Sequence, residues 1–521
     1  MKRKVYPTIL VFFVFSFEIF LSGTLRAGVI TAAGTSQSAV QNAINQAQSG
    51  DTVMVPAGNA SWTNKVSISG KSITVMGAGK NSTVITLSVS GEGIYIGPNA
   101  SRVTGMGFIL SSGWFFIASQ GQNFRVDHCK FENQISGIRD AVYSYGDATS
   151  SIAHPTGVID HNEMIDSRTL VSGDINIMAN PIWSQPSTIG NPDQTGVVYI
   201  EDNTFTHTIF SNTIDADYGG RYVFRYNTIN ATSLGGYFEA HSVMEGGNNR
   251  ATRSWEIYNN TVTRNDAFFT AMDLRGGTGV VFDNIVTGQY GTLILLDNVR
   301  SFDDLTSSPA GPCNGSSSWD GNITNGWPCR DQIGRGQDAA GTFPQPQSSE
   351  PAYFWNNKLN GAITNPDIAN CSNAVKPNGV CADVVVGRDY FVTQRPGYSP
   401  YCYPHPLVSG IPCNPATGVH ETNSGDGISV YPNPSAGMVN VKCLMANGNT
   451  SIIEVYNVFG KRVCGIEIDI TSNINHSPSR SALAEQGQPL TIDLSSQPNG
   501  IYFIKLKTEQ NSYVQKVVLA K

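Results

Sequence analysis

The chain has 521 residues, of which 14% are charged and 53 are glycine, and its formal net charge is −7. A net acidic chain of this kind excludes a protein that binds nucleic acid through a global basic surface. The composition suits many short strands and tight turns rather than long helices, and the length allows two or three domains or one long solenoid.

Residues 1–27 have the layout of a secretory signal peptide. Lys2-Arg3-Lys4 forms a basic start, Ile9 to Leu21 an apolar run, and Ala27 a cleavage point. Without Lys2, Arg3, Lys4, Arg26 and Glu18 the mature chain has 29 Lys+Arg against 39 Asp+Glu, a net charge of −10. An anionic polysaccharide is not steered towards such a surface, so binding one needs a bound cation or a local arginine cluster.

Ser36 to Gln48 is predicted to be a helix, because Val40, Ala43, Ile44 and Ala47 make one apolar stripe. Thr52 to Val55 reads as a strand. A pattern of the form apolar-x-x-small-x-apolar then recurs, with its fourth position at Met106, Cys129, Asn162, Asn203, Asn227, Asn260, Asn284 and Asn357. The intervals are 23, 33, 41, 24, 33, 24 and 73 residues, a minimum period of 23–24 with loops inserted into some repeats. The six asparagines are expected to take the left-handed turn conformation and to bond to one another from coil to coil.

A second repeat lies between Ile214 and Val299. Ile214-Asp215-Ala216-Asp217, Phe238-Glu239-Ala240-His241, Met272-Asp273-Leu274-Arg275 and Leu296-Asp297-Asn298-Val299 can be stacked with steps of 24, 34 and 24. Strand side chains alternate between faces. Ile214, Phe238, Met272 and Leu296 are therefore expected to point inward. One outward row holds Asp215, Glu239, Asp273 and Asp297, and the next holds Asp217, His241, Arg275 and Val299. A loop from Val243 to Arg253 brings Arg250 and Arg253 beside this patch.

The capping helix, the period, the asparagine ladder and the inserts resemble the pectate-lyase-like superfamily of right-handed parallel β-helix proteins over roughly residues 30–300. The fold class expected is thus all-β, with a solenoid at residues 28–300 capped by an N-terminal helix. Calcium-dependent pectate lyases of that superfamily use acidic residues on neighbouring coils and a basic residue nearby. The resemblance implies a Ca2+ site at Asp215, Glu239, Asp273 and Asp297, with His241 or Arg275 as the base for β-elimination on a uronate polysaccharide. β-Helix polygalacturonases, which hydrolyse with inversion, place an aspartate, then a histidine, then an arginine on successive coils, and Asp217, His241 and Arg275 follow a similar order. The Asp-Asp, Gly-His-Gly and Arg-x-Lys motifs of that family are missing, so the lyase stands ahead of the hydrolase. A non-catalytic glycan-binding surface protein is the third reading.

Residues 301–413 are rich in Gly, Pro and Ser, contain Cys313, Cys329, Cys371, Cys381, Cys402 and Cys413, and are expected to form Cys-rich loops and the C-terminal end of the β-helix. Pairing of sequence neighbours is the simplest expectation in an exported chain. Trp327, Arg330 and Arg335 are candidates for one wall of a glycan cleft, with the indole stacking and a guanidinium binding carboxylate. Trp114 and Trp183 are expected in the core.

Residues 414–426 form a linker. Beyond it come Tyr431-Pro432-Asn433-Pro434, a turn ending in Gly460-Lys461, Asn499-Gly500-Ile501-Tyr502-Phe503 and a Lys516-Val517-Val518-Leu519 ending. Residues 427–521 therefore resemble the C-terminal sorting domain of the type IX secretion system, a small β-sandwich. The resemblance implies export through the outer membrane by that machinery, with a secreted or surface-attached product. A monomer acting on an extracellular polysaccharide is expected, with no transmembrane span in the mature chain.

Overall fold

The computed structural model describes residues 27–146, 154–174, 183, 187, 189–190, 196–232, 235–243, 250–298, 329–338, 347–369, 381, 383–413, 428–433, 435–443, 451–457, 462–468, 490–507 and 512–521. The predicted signal peptide, Trp327, Cys313 and Cys371 lie outside these residues. Two compact units divide the chain, residues 1–413 and 414–521.

The first unit is a right-handed parallel β-helix. One ladder of twelve strands runs from Val29–Thr31 to Tyr390–Phe391, and nineteen further strands form the other faces. The solenoid thus continues past residue 300: Ala352–Trp355 adds a coil on Thr278–Phe282. The helix Gln37–Gln46 covers the N-terminal end, with Ser36 as its cap and Val40, Ala43 and Ile44 buried. It shields apolar side chains that an uncovered first coil would expose.

Inside, like residues stack on like. Ile214, Phe238, Met272 and Ile294 are each fully buried, and register pairs them in series. Burying one such side chain stabilises the fold by about 1.5–3 kcal/mol.

The asparagine ladder forms as expected. Asn162 bonds Asn203, Asn203 bonds Asn227, Asn227 bonds Asn260, Asn260 bonds Asn284 and Asn284 bonds Asn357, each through Nδ2 to the next Oδ1 at 2.9–3.1 Å. The conformational expectation is corrected. The left-handed residue is the one before each rung: Gly105, His128, His161, Asp202, Tyr226, Asn259, Asp283 and Asn356 all have φ between 52° and 67°. The ladder amides sit one step later, turned inward, where each also donates to a backbone carbonyl, as Asn227 does to Ile200 at 2.9 Å.

A strap formed by residues 398–407 crosses the twelve-stranded ladder. Arg225, fully buried, donates to the carbonyls of Tyr401 and Cys402 at 2.7 Å each and to Glu201 at 2.7 Å. Cys402 and Cys413 are disulfide-bonded as expected, and Cys329 and Cys381 are also in disulfides.

The second unit holds two antiparallel sheets, of three and four strands, around Val439, Val441, Ile453, Val455, Ile492 and Ile504. Cys464 there is a free thiol.

Candidate active site on the solenoid face

The strands Asp140–Gly146, Arg168–Asp174, Asn212–Asp217, Tyr237–Ala240, Thr261–Leu274 and Ile285–Leu296 are neighbours in one parallel ladder. Alternation turns Asp215, Glu239 and Asp273 outward in one row, with Glu239 directly opposite Asp273. The row of Asp217, His241 and Arg275 lies two residues further along. The structure brings together all six residues that the repeat assigned to the first three coils.

The fourth coil is corrected. Asp273 faces Leu295, not Asp297. The long strand Thr261–Leu274 carries two extra residues at a bulge between Thr263 and Ala267. The offset to the next coil is therefore 24 at Thr263/Thr287 but 22 at Ala267/Gln289. Asp297 consequently belongs to the row of Arg275, its N–H donating to the Leu274 carbonyl at 3.0 Å.

Salt links tie the first row together. Asp215 accepts from His241 Nδ1 at 2.7 Å through Oδ1 and from Arg168 Nη1 at 2.6 Å through Oδ2. Arg168 also donates to Asp140 at 2.5 Å and to Asn212 at 2.9 Å. Glu239 accepts from Asn212 Nδ2 at 2.6 Å and from Arg275, with His241 Nε2 at 3.6 Å. Asp217 accepts from the hydroxyl of Ser172. Asp273 is held more loosely: Arg275 Nε lies 3.9 Å from its Oδ2, and its Oδ1 is buried with no hydrogen-bond partner among the described residues.

These contacts separate the acids electrostatically. Burial acts to raise Asp215, but His241 and Arg168 outweigh it and hold the carboxyl well below its usual range. Burial, then repulsion from Asp215, pushes Asp217 up to about 6. Burial, then Asp297, pushes Asp273 up to about 7. Burial opposes a charge on His241, yet Asp215 prevails and raises it. The patch thus contains one firmly ionised carboxylate and two carboxyl groups poised near neutrality, an arrangement suited to proton transfer.

The donor set tests the expected calcium. One ligand atom each from Asp215, Glu239 and His241 lies within 4.8 Å of the others. However, both oxygens of Asp215 and both of Glu239 already accept from Arg168, His241, Arg275 or Asn212. Calcium prefers six to eight oxygen ligands, and of Asp215, Glu239 and Asp273 it is Asp273 that has an oxygen with no hydrogen-bond partner among the described residues. A cation held by Asp215, Glu239 and His241 would have to displace these partners, Arg168 and Arg275 among them.

The arginines assigned to substrate binding are corrected as well. Arg250 is 1% exposed and forms a double hydrogen bond with Asp331 and a further one with Asp338. Arg253 is fully buried against Glu350, and Trp183 lies about 5 Å from both guanidiniums. Arg330 pairs with Asp338, and Arg335 is fully buried with Nε donating to the Cys329 carbonyl at 3.2 Å. Desolvation forces buried arginines into such partnerships, and these four are buried with theirs rather than lining an open surface. Arg168, Asn212, Ser172 and Asp140 are site residues that the repeat did not point to. Arg168 lies two residues before Leu170, the residue that faces Asp215, so it falls just outside the four-residue segments, and the long insert before Val198 also breaks the 24-residue step.

Residues 429–520 match the family described as "Secretion system C-terminal sorting domain". The chain carries that domain and is therefore a secreted or cell-surface protein. Among the described residues no helix is long and apolar enough to cross a membrane. No curated protein sequence matches the chain. Among solved structures it is similar to the catalytic domain of a GH87 α-1,3-glucanase in complex with nigerose, at 11% identity and TM-score 0.29, covering 71% of this chain and 68% of that one. It is also similar to a pectin methylesterase variant in complex with a hexasaccharide, at 10% identity and TM-score 0.27, covering 68% and 95%. A Geobacillus virus E2 protein is similar at 12% identity and TM-score 0.27, covering 93% and 78%.

Proposed function

We propose that this secreted β-helix protein cleaves an extracellular polysaccharide by acid–base chemistry, with Asp217 and Asp273 as the proton-transfer pair. The observation that carries the reading is their placement on one solenoid face, on either side of the His241 strand, with raised pKa values beside a clamped Asp215. Asp273, at about 7, retains a proton at neutral pH and suits the general acid. Asp217, at about 6, is mostly ionised there and suits the base that activates water. Their strands are two coil steps apart, each about 4.8 Å. Asp217 also lies two residues further along its strand, so the two backbones are roughly 12 Å apart, and substrate binding would have to draw the carboxyls closer to reach the roughly 6.5–9.5 Å of inverting glycosidases. Arg275 and His241 lie between them and supply positive charge for an acidic substrate and for the departing oxygen.

β-Elimination is the second reading. It is favoured by the uncommitted Asp273 Oδ1 and by the close ligand atoms of Asp215, Glu239 and His241, which a cation would gather if Arg168 and Arg275 gave way.

The two readings differ in product. The intact chain is incubated with polygalacturonate, alginate and dextran, with calcium or with a chelator. Release of reducing ends without ultraviolet absorbance, indifferent to chelator and abolished by Asp217→Asn or Asp273→Asn, is the expected outcome. Absorbance from unsaturated uronate that vanishes with chelator would replace hydrolysis with metal-assisted elimination. No cleavage of any polymer would leave a binding protein.

A further inference from the structure

Upstream of the acidic cluster the same solenoid face changes character. Phe115 stacks on Tyr143, with ring centroids 4.7 Å apart, and Tyr143 stacks on Tyr145 at 4.8 Å. Trp114, beside Phe115, is 58% exposed, against the expectation of a core position. The Arg139 guanidinium lies 4.6 Å from its ring centre.

We infer that Trp114, Phe115, Tyr143 and Arg139 form a binding strip for one acidic polysaccharide chain, continuing the acid cluster towards the N-terminal coils. This rests on the proposed glycan-cleaving site, whose substrate class and direction it specifies.

Three observations support it. The first is continuity. Tyr143 faces Leu170, which faces Asp215, and Tyr145 faces Ser172, which donates to Asp217, so strip and cluster meet across one strand. On the other row Phe115 faces Asp140, Asp140 faces Arg168, and Arg168 donates to Asp215. The second is spacing. Phe115–Ser119 and Asp140–Gly146 are the third and second coils before Asn212–Asp217. A polymer lying along the solenoid axis would advance by about one sugar ring per coil step of roughly 4.8 Å, which puts rings over Tyr143 and Phe115 while the scissile bond is at Asp217. The third is chemistry. Aromatic faces accept the apolar face of a pyranose, and an exposed indole earns nothing from solvent. Arg139, level with Trp114, provides a cation for a uronate carboxylate where the chain as a whole is acidic. Packing explains the inner rings, which support one another, but it does not explain Trp114, which is left in water.

The test separates binding from cleavage. Retention of the intact chain carrying Asp217→Asn is measured by affinity electrophoresis in gels containing polygalacturonate, alginate or dextran, with and without Trp114→Ala, Phe115→Ala or Arg139→Gln added. Trp114→Phe serves as the conservative control. Each alanine variant is expected to weaken retention on an acidic polymer by about twofold to tenfold, and Trp114→Phe to restore most of it. Arg139→Gln should weaken acidic polymers only. In the cleaving protein, the same changes should raise KM for long chains and leave kcat unaltered. Unchanged retention in all three variants would overturn the strip while leaving the cleavage site standing. Retention that depends on Trp114 in a protein that cleaves nothing would uphold the strip and remove the catalytic reading. A parent protein that no polymer retains would overturn the strip.

Discussion

Asp215 takes the Nδ1–H of His241 on one oxygen and Arg168 on the other, at 2.7 and 2.6 Å. The carboxylate fixes the imidazole tautomer and directs Nε2 towards Glu239, 3.6 Å away. It also holds a negative charge that keeps its neighbour Asp217 partly protonated.

Asp215→Asn tests that role. With the carboxylate gone, burial dominates at His241, and its pKa should fall from above its ordinary value towards or below it. The raised value means that the His241 pair stabilises the fold below about pH 6.5 and that this contribution fades as pH rises through the folded pKa. A ring-proton titration by NMR should therefore show a downward shift. Turnover should drop by about a hundredfold or more. A His241 titration that does not move would refute the assignment.

Asp273→Asn should trade activity for stability. A carboxyl raised from 3.8 to about 7 binds more protons folded than unfolded between these values, so the wild type loses stability as pH rises through that window. The asparagine variant is spared this loss. Denaturant unfolding should show the variant more stable by about 2–4 kcal/mol at pH 8 and nearly equal to wild type at pH 4. A constant difference across pH would mean that Asp273 is ionised throughout.

Arg225→Met should loosen the strap. The substitution leaves Glu201 and the carbonyls of Tyr401 and Cys402 without their donor. The expected cost is about 3–5 kcal/mol, read as a lower Tm, with faster proteolysis between residues 398 and 407. Arg225→Lys should fall between the two, since an ammonium cannot span three acceptors in a plane.

Asn227→Ala should break the ladder from the middle. It strands the Asn203 N–H, which donates to Asn227 Oδ1 at 3.0 Å, and takes one acceptor from the Asn203 side-chain amide, which keeps the Ile159 and Glu201 carbonyls. Each buried donor left unmade costs about 1–3 kcal/mol. Asn357→Ala should cost less by thermal melting, because it affects only the donors of Asn284, whereas Asn227→Ala also removes the donor to Asn260 Oδ1. Equal losses at both positions would argue against a cooperative ladder.

The sequence by itself determined the solenoid. Its minimum period of 23–24, the asparagines of the ladder and the apolar/acidic alternation at Asp215, Glu239 and Asp273 are local properties, repeated over several coils and legible without knowing what faces what. The sorting domain was legible for the same reason, since its motifs are contiguous. Tertiary structure alone decided the partners. A bulge of two residues in the strand Thr261–Leu274 moved Asp297 into the row of Arg275. An insert hid Arg168, which neutralises Asp215 from the preceding coil. Arg250, Arg253, Arg330 and Arg335 looked available in a polar loop, yet each is buried with acceptors more than a few residues away. Trp114 resembled a core residue and stands in solvent. Alternation states which face a side chain leaves from. It does not state which charges meet there, because that depends on loops of unequal length closing over a lattice of equal steps.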